Sequence, residues 1–126
     1  MTTSPEVEEE VNYRLSRRRV KVPSILQMEA AECGPASLAM VLASHGAWVP
    51  LEDLRTACAV SRDGANARNL ALAAQIYGLK VTANSYDVPD LENVTLPAIL
   101  FWNFNHYVVL TGTRHDGLEI NDPASG

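Results

Sequence analysis

Between Ala36 and His45, Leu38, Val41, Leu42 and His45 recur at the three-and-four spacing that gives a helix one buried face. Gly46 stands where that helix would stop, and Pro35 suits its first turn, where a missing N–H costs nothing. A second helix is predicted from Pro50 to about Cys58, with Glu52 and Asp53 at the positive end of its dipole. A third begins at a capping Asn66, turns Leu70, Ala73, Ala74 and Tyr77 inward, and ends at Gly78. Beyond it the pattern becomes extended. Leu79 to Tyr86 is predicted as a short strand, Pro97 to Trp102 as a buried one, and His106 to Thr113 as a central one. Tyr107 to Thr111 is almost continuously apolar, as in a strand covered on both faces. Asp116-Gly117 makes a tight turn into a last strand, Leu118 to Asn121. Helices followed by an antiparallel meander describe an α+β fold.

The 126 residues amount to one domain. With 47% hydrophobic and 20% charged residues, the disordered and collagen-like classes are excluded. A formal net charge of -5 argues against a broad basic surface for nucleic acid or anionic lipid. Charge does divide the N-terminus, acidic from Glu6 to Glu10 and basic at Arg14, Arg17, Arg18, Arg19 and Lys21. Residues 1–21 are therefore expected to form a flexible charged arm, with the folded domain at 22–126. Neither a secretory signal nor a membrane span is visible; Pro97 to Trp102 falls far short of the ~20 apolar residues that cross a bilayer. Asn121 to Gly126 is turn-like, and the ending reads as cut rather than natural.

Two cysteines are too few for a disulfide framework, and both are expected as free thiols in a reducing compartment. Cys33 lies where a loop becomes a helix, beside Gly34, and backbone N–H groups at a helix N-terminus stabilise a thiolate. A cysteine nucleophile needs an imidazole to take its proton and a third group to orient that imidazole. His106, at the start of the predicted central strand, and Asp122, after the next, can meet across adjacent antiparallel strands. Gln27 can supply an amide N–H which, with the Cys33 backbone N–H, would hold an oxyanion. Singly, each has a structural reading: a buried thiol, a core histidine, a turn-forming aspartate, a polar loop residue. Their order and local settings join them. Cys58 ends an apolar helix and is assigned to the core, His45 to a helix C-terminus, and His115 to a turn. No clustered Cys/His set suggests zinc.

The segments Gln27-Met28-Glu29-Ala30-Ala31-Glu32-Cys33-Gly34-Pro35, Asn105-His106-Tyr107-Val108 and Asn121-Asp122-Pro123-Ala124 carry a family resemblance. From about Pro23 to Gly126 the chain resembles the papain-like cysteine peptidase domain at the N-terminus of bacteriocin-exporting ABC transporters. That resemblance implies a cysteine protease that removes the leader of a ribosomally made precursor after a Gly-Gly or Gly-Ala site. It puts the nucleophile on Cys33, the general base and acid on His106, the orienting carboxylate on Asp122 and the oxyanion donor on Gln27. The wording Glu29-Ala30-Ala31-Glu32-Cys33 is similar to members serving lanthipeptide-type substrates.

The resemblance also implies a place on the cytoplasmic side of the bacterial plasma membrane as part of a transporter, a homodimer with membrane and nucleotide-binding domains, and a soluble state for this domain in isolation. No cofactor is implied for the peptidase, and ATP only for the attached transporter. The partner would be a precursor with an amphipathic leader helix, received by apolar residues such as Val49, Leu51, Leu54 and Tyr77 on the second and third helices. Two other readings stand beside this one: a noncatalytic leader-docking domain, and a thiol acyltransferase on the same type of fold.

Overall fold

The computed structural model describes residues 15–62, 64–102 and 106–125. Residues 1–14 of the expected arm, and Asn105 of the histidine motif, lie outside them. A first helix, α1 (Cys33–Ser44), is buried at every residue from Cys33 to Ala43. It was expected to bury one face; instead it runs through the centre, packed against the sheet on one side and against α2 (Leu51–Ala57) and α3 (Ala67–Ile76) on the other. Gly34, Ala36, Ser37, Ala39 and Ala43 make this possible, because small side chains let neighbours approach from all round. The local signals of α3 act as expected: Asn66 Oδ1 accepts the Asn69 N–H at 2.8 Å, and Gly78 takes φ +93° beyond the last turn.

The antiparallel sheet comprises β1 (Arg18–Arg19), β2 (Ala98–Trp102), β3 (His106–Arg114) and β4 (Gly117–Asn121). β3 is central and buried from Tyr107 to Thr113, as its apolar run predicts. β2 pairs with residues 106–110 of β3, and β4 with residues 109–114 along the opposite edge. β1 continues the edge of β2, pairing Arg18 with Thr113 and Arg19 with Gly112.

Two expectations are corrected. The described part of the arm, residues 15–21, is docked. Leu15 is 3% exposed, and the Arg18 guanidinium donates to the carbonyls of Val94 and Leu91, both at 2.7 Å. Part of the basic cluster is thus consumed in closing the sheet over a 3-10 helix, Val88–Asn93. Leu79 to Tyr86 forms no strand: both edges of β3 are occupied, and Leu79 and Val81 instead pack on the core while the rest is largely exposed.

Gly112 sets how closely β1 can approach. A Cβ there would stand 2.5 Å from the Arg18 carbonyl oxygen and 3.3 Å from Arg19 Cα. Gly112→Ala is expected to cost about 1–3 kcal/mol through this overpacking. Thermal unfolding should show a lowered Tm, and hydrogen exchange a selective loss of protection at Val20, whose N–H bonds the Thr111 carbonyl at 2.8 Å. An unchanged Tm would refute the contact.

Candidate active site

Cys33 is the first residue of α1, entered directly from the 3-10 helix Ala30–Glu32, and it is 8% exposed. Its neighbour Gly34 lies against β3: a Cβ there would meet Tyr107 Cδ2 and Ala65 Cβ, each at 3.4 Å. The close approach of Gly34 to Tyr107 brings the start of α1 against the start of β3, where Cys33 and His106 each stand one residue before the contact. Among the described residues no hydrogen bond joins Cys33 to His106. The thiol lies in the core cluster with Tyr107 and Cys58.

His106 and Asp122 are brought together as expected. The imidazole Nε2 lies 2.7 Å from Asp122 Oδ1, both side chains being partly exposed. A carboxylate accepts only, so Nε2 carries the proton and Nδ1 is left as the basic nitrogen. The same Oδ1 accepts the Ala124 N–H at 2.9 Å, which holds the carboxylate in an Asx turn.

The segment after β4 also places Gln27. The Pro123 carbonyl accepts the Gln27 N–H at 2.9 Å, and Asn121 Nδ2 donates to the Val22 carbonyl at 3.1 Å. Gln27 Nε2 donates to the carbonyls of Glu29 at 3.1 Å and Ala30 at 3.4 Å, beside the 3-10 helix Ala30–Glu32 that leads into Cys33. Its Oε1 is buried without a partner.

Of the residues expected to form the leader groove, Val49, Leu51 and Tyr77 are half-buried and Leu54 is not on the surface. Leu54 is fully buried, while Val49 and Tyr77 pack on the same core cluster; helical spacing alone does not separate a core face from a docking face. The exposed apolar side chains are Leu26, Met28, Trp48, Leu72 and Ile76, among others. Sequence reasoning also passed over Glu32, a carboxylate 1% exposed and immediately before Cys33. Its signal was the spacing of Glu29 and Glu32 at the entry to a helix.

Cys58 is in the core as expected, and burial pushes its thiol up to about 11. Tyr107, whose hydroxyl donates to the Ala65 carbonyl at 3.2 Å, is also raised, by burial first and then by the neighbouring Cys33 and Cys58. At pH 8 only about a thousandth of Cys58 would be thiolate, so iodoacetamide is expected to alkylate native Cys33 and spare Cys58, as read by peptide mass mapping. Equal labelling would contradict that. Because the unfolded chain ionises near the ordinary thiol value of 9.0 while the folded one holds its proton to about 11, this contribution to stability is full below about pH 9 and declines toward 11.

Among the described residues, no group of three or more His, Cys, Asp or Glu is arranged to hold a metal ion, and no helix is long and apolar enough to cross a membrane.

The sequence model of the Peptidase C39 family matches residues 21–126. Among curated proteins, the probable microcin-H47 secretion/processing ATP-binding protein MchF of Escherichia coli is 36% identical over 116 residues, covering 92% of this chain and 17% of that protein. The colicin V secretion/processing ATP-binding protein CvaB of Escherichia coli is 34% identical with the same coverage. The chain thus spans less than a fifth of the length of these relatives. A solved double glycine motif protease from an AMS/PCAT transporter, in complex with the leader peptide, superposes with a TM-score of 0.84 at 54% identity, covering 90% of this chain and 81% of that one. The peptidase domain of Streptococcus ComA, a bi-functional ABC transporter, gives 0.70 at 25% identity, covering 79% and 77%.

Proposed function

The chain belongs to the Peptidase C39 family, and from that premise we propose that it is a cysteine endopeptidase cutting a leader from a precursor peptide after a double-glycine site. The observation that carries this reading is the 2.7 Å contact of His106 Nε2 with Asp122 Oδ1, at the end of β3 that faces the head of α1. It leaves Nδ1 free to take the Cys33 proton. The thiolate attacks the carbonyl carbon of the second small residue, and the electron pair moves to the oxygen, held by the Cys33 N–H and the Gln27 amide. The Gln27 Nε2–H on the Ala30 carbonyl, at 3.4 Å, is the weaker of that amide's two bonds and the one with less to lose in turning to the oxyanion. Collapse of the intermediate breaks the C–N bond, and the imidazolium protonates the leaving amine. A water deprotonated by His106 then hydrolyses the thioester, releasing a free carboxylate and restoring the thiol.

The relatives' descriptions as secretion/processing ATP-binding proteins support a place within an exporter, on the cytoplasmic face where precursors are made. The peptidase chemistry uses no cofactor in this reading; ATP belongs to the transporter, working as a homodimer, and a lanthipeptide-type precursor is the preferred cargo. The leader complex of the double-glycine protease supports a leader peptide as the partner, and an amphipathic helix is the form this reading gives it. Mass spectrometry of a double-glycine precursor incubated with the chain, without ATP, tests the reading. Cleavage after the second small residue with a free carboxylate is expected. Binding without cleavage would replace it with a docking domain, and a new amide at the cut with an acyltransferase.

A further inference from the structure

Glu32 joins the two sides of the site. Its Oε1 accepts the backbone N–H groups of Met28 and Glu29, each at 2.9 Å, and its Oε2 accepts Arg55 Nη1 from α2 at 2.8 Å. Those N–H groups belong to the two residues that follow Gln27, while Glu32 itself is bonded to the Cys33 nitrogen. The carboxylate therefore closes a ring from the Gln27 loop to the head of α1, and Arg55 anchors that ring to a second helix. Packing does not shape this turn: Met28 is 82% exposed and Glu29 is exposed. With Glu32 buried and Arg55 half-exposed, the ion pair by itself is weak evidence for stability, since desolvating the carboxylate offsets much of the attraction. What the carboxylate adds is direction, through charge-assisted bonds to particular N–H groups.

We propose that Glu32 is a positioning residue for the oxyanion hole, holding the Gln27 amide at a set distance from the Cys33 N–H, with Arg55 as its anchor. This rests on the peptidase reading and on those two donors. Glu32→Gln breaks the arrangement with little change of shape, because the amide has one oxygen for two sets of donors and turns an NH2 group toward one of them.

The test is steady-state cleavage of a synthetic double-glycine leader peptide by the wild-type chain, Glu32→Gln, Gln27→Ala and the double variant. Displacing a donor without removing it is expected to lower kcat about 10- to 100-fold and to leave KM within about twofold. In the Gln27→Ala background the same substitution should cost less than about threefold, because the distance it guards no longer matters. Arg55→Met, which keeps both Oε1 bonds and alters a half-exposed side chain, should show a smaller kcat loss with the same dependence on Gln27; it carries the cycle if Glu32→Gln does not fold. Equal losses in both backgrounds, or a loss confined to KM, overturn the proposal. A wild-type chain that does not cut would sink the peptidase reading itself, whereas an active wild type with an unimpaired Gln27→Ala would remove only the oxyanion assignment and the positioning role built on it.

Discussion

Cys33→Ala is expected to lower kcat on a double-glycine precursor by a factor on the order of 10⁵ or more, because the covalent route vanishes when its nucleophile does. The fold should survive. The substitution removes one sulfur at the head of α1, replaces it with the residue of highest helix propensity, and leaves intact the contact between Gly34 and Tyr107. Leader affinity measured by calorimetry should therefore stay within about twofold of wild type, while product mass spectra show intact precursor. Cleavage at an unchanged rate would transfer the nucleophile to another residue. Loss of binding together with activity would mean that the variant had lost the site's shape, and the circular dichroism spectrum would show it.

The second large effect belongs to Asp122, and its size should depend on the replacement. Asp122→Ala removes the oxygen that holds His106 Nε2 at 2.7 Å and the Ala124 N–H at 2.9 Å. The imidazole then loses both orientation and tautomer, and kcat/KM is expected to fall about 10³- to 10⁴-fold. Asp122→Asn should cost only about tenfold. The Ala124 N–H demands an acceptor at Oδ1, so the amide oxygen is held where His106 needs it and the amide nitrogen is turned away. The Nε2–H tautomer survives, and what is lost is the charge that stabilises the imidazolium. If Asn and Ala cost the same, charge rather than orientation dominates at this position.

The parts of the site that were legible in the chain are those announced by their immediate neighbours. Cys33 precedes Gly34-Pro35 at a helix start, His106 begins the longest apolar strand, and Asp122 precedes Pro123 in a turn. Glu32 was overlooked because the spacing of Glu29 and Glu32 announces only a local cap, whereas its wider meaning lies in Arg55, 23 positions away, and in the Met28 N–H. Among the residues expected in the leader groove, Leu54 misled for a related reason. Leu54 has the same helical spacing whether its face meets a leader or the core, and only the packing of α1 against α2 assigns it to the core.

By itself the sequence determined the α+β order, the helices with their caps and stops, the central strand and the three residue types needed for thiol chemistry. These follow from local energies: an Asn66 side chain bonding three residues along, a glycine at positive φ, apolar side chains recurring at one period. The tertiary structure alone decided that Arg18 would close the sheet, that Leu79 to Tyr86 would find no strand partner, and that one oxygen of Asp122 would grip both His106 and Ala124. Those outcomes are set by which groups compete for the same edge, cavity or lone pair once the chain has closed on itself, and such competition is between residues distant in sequence.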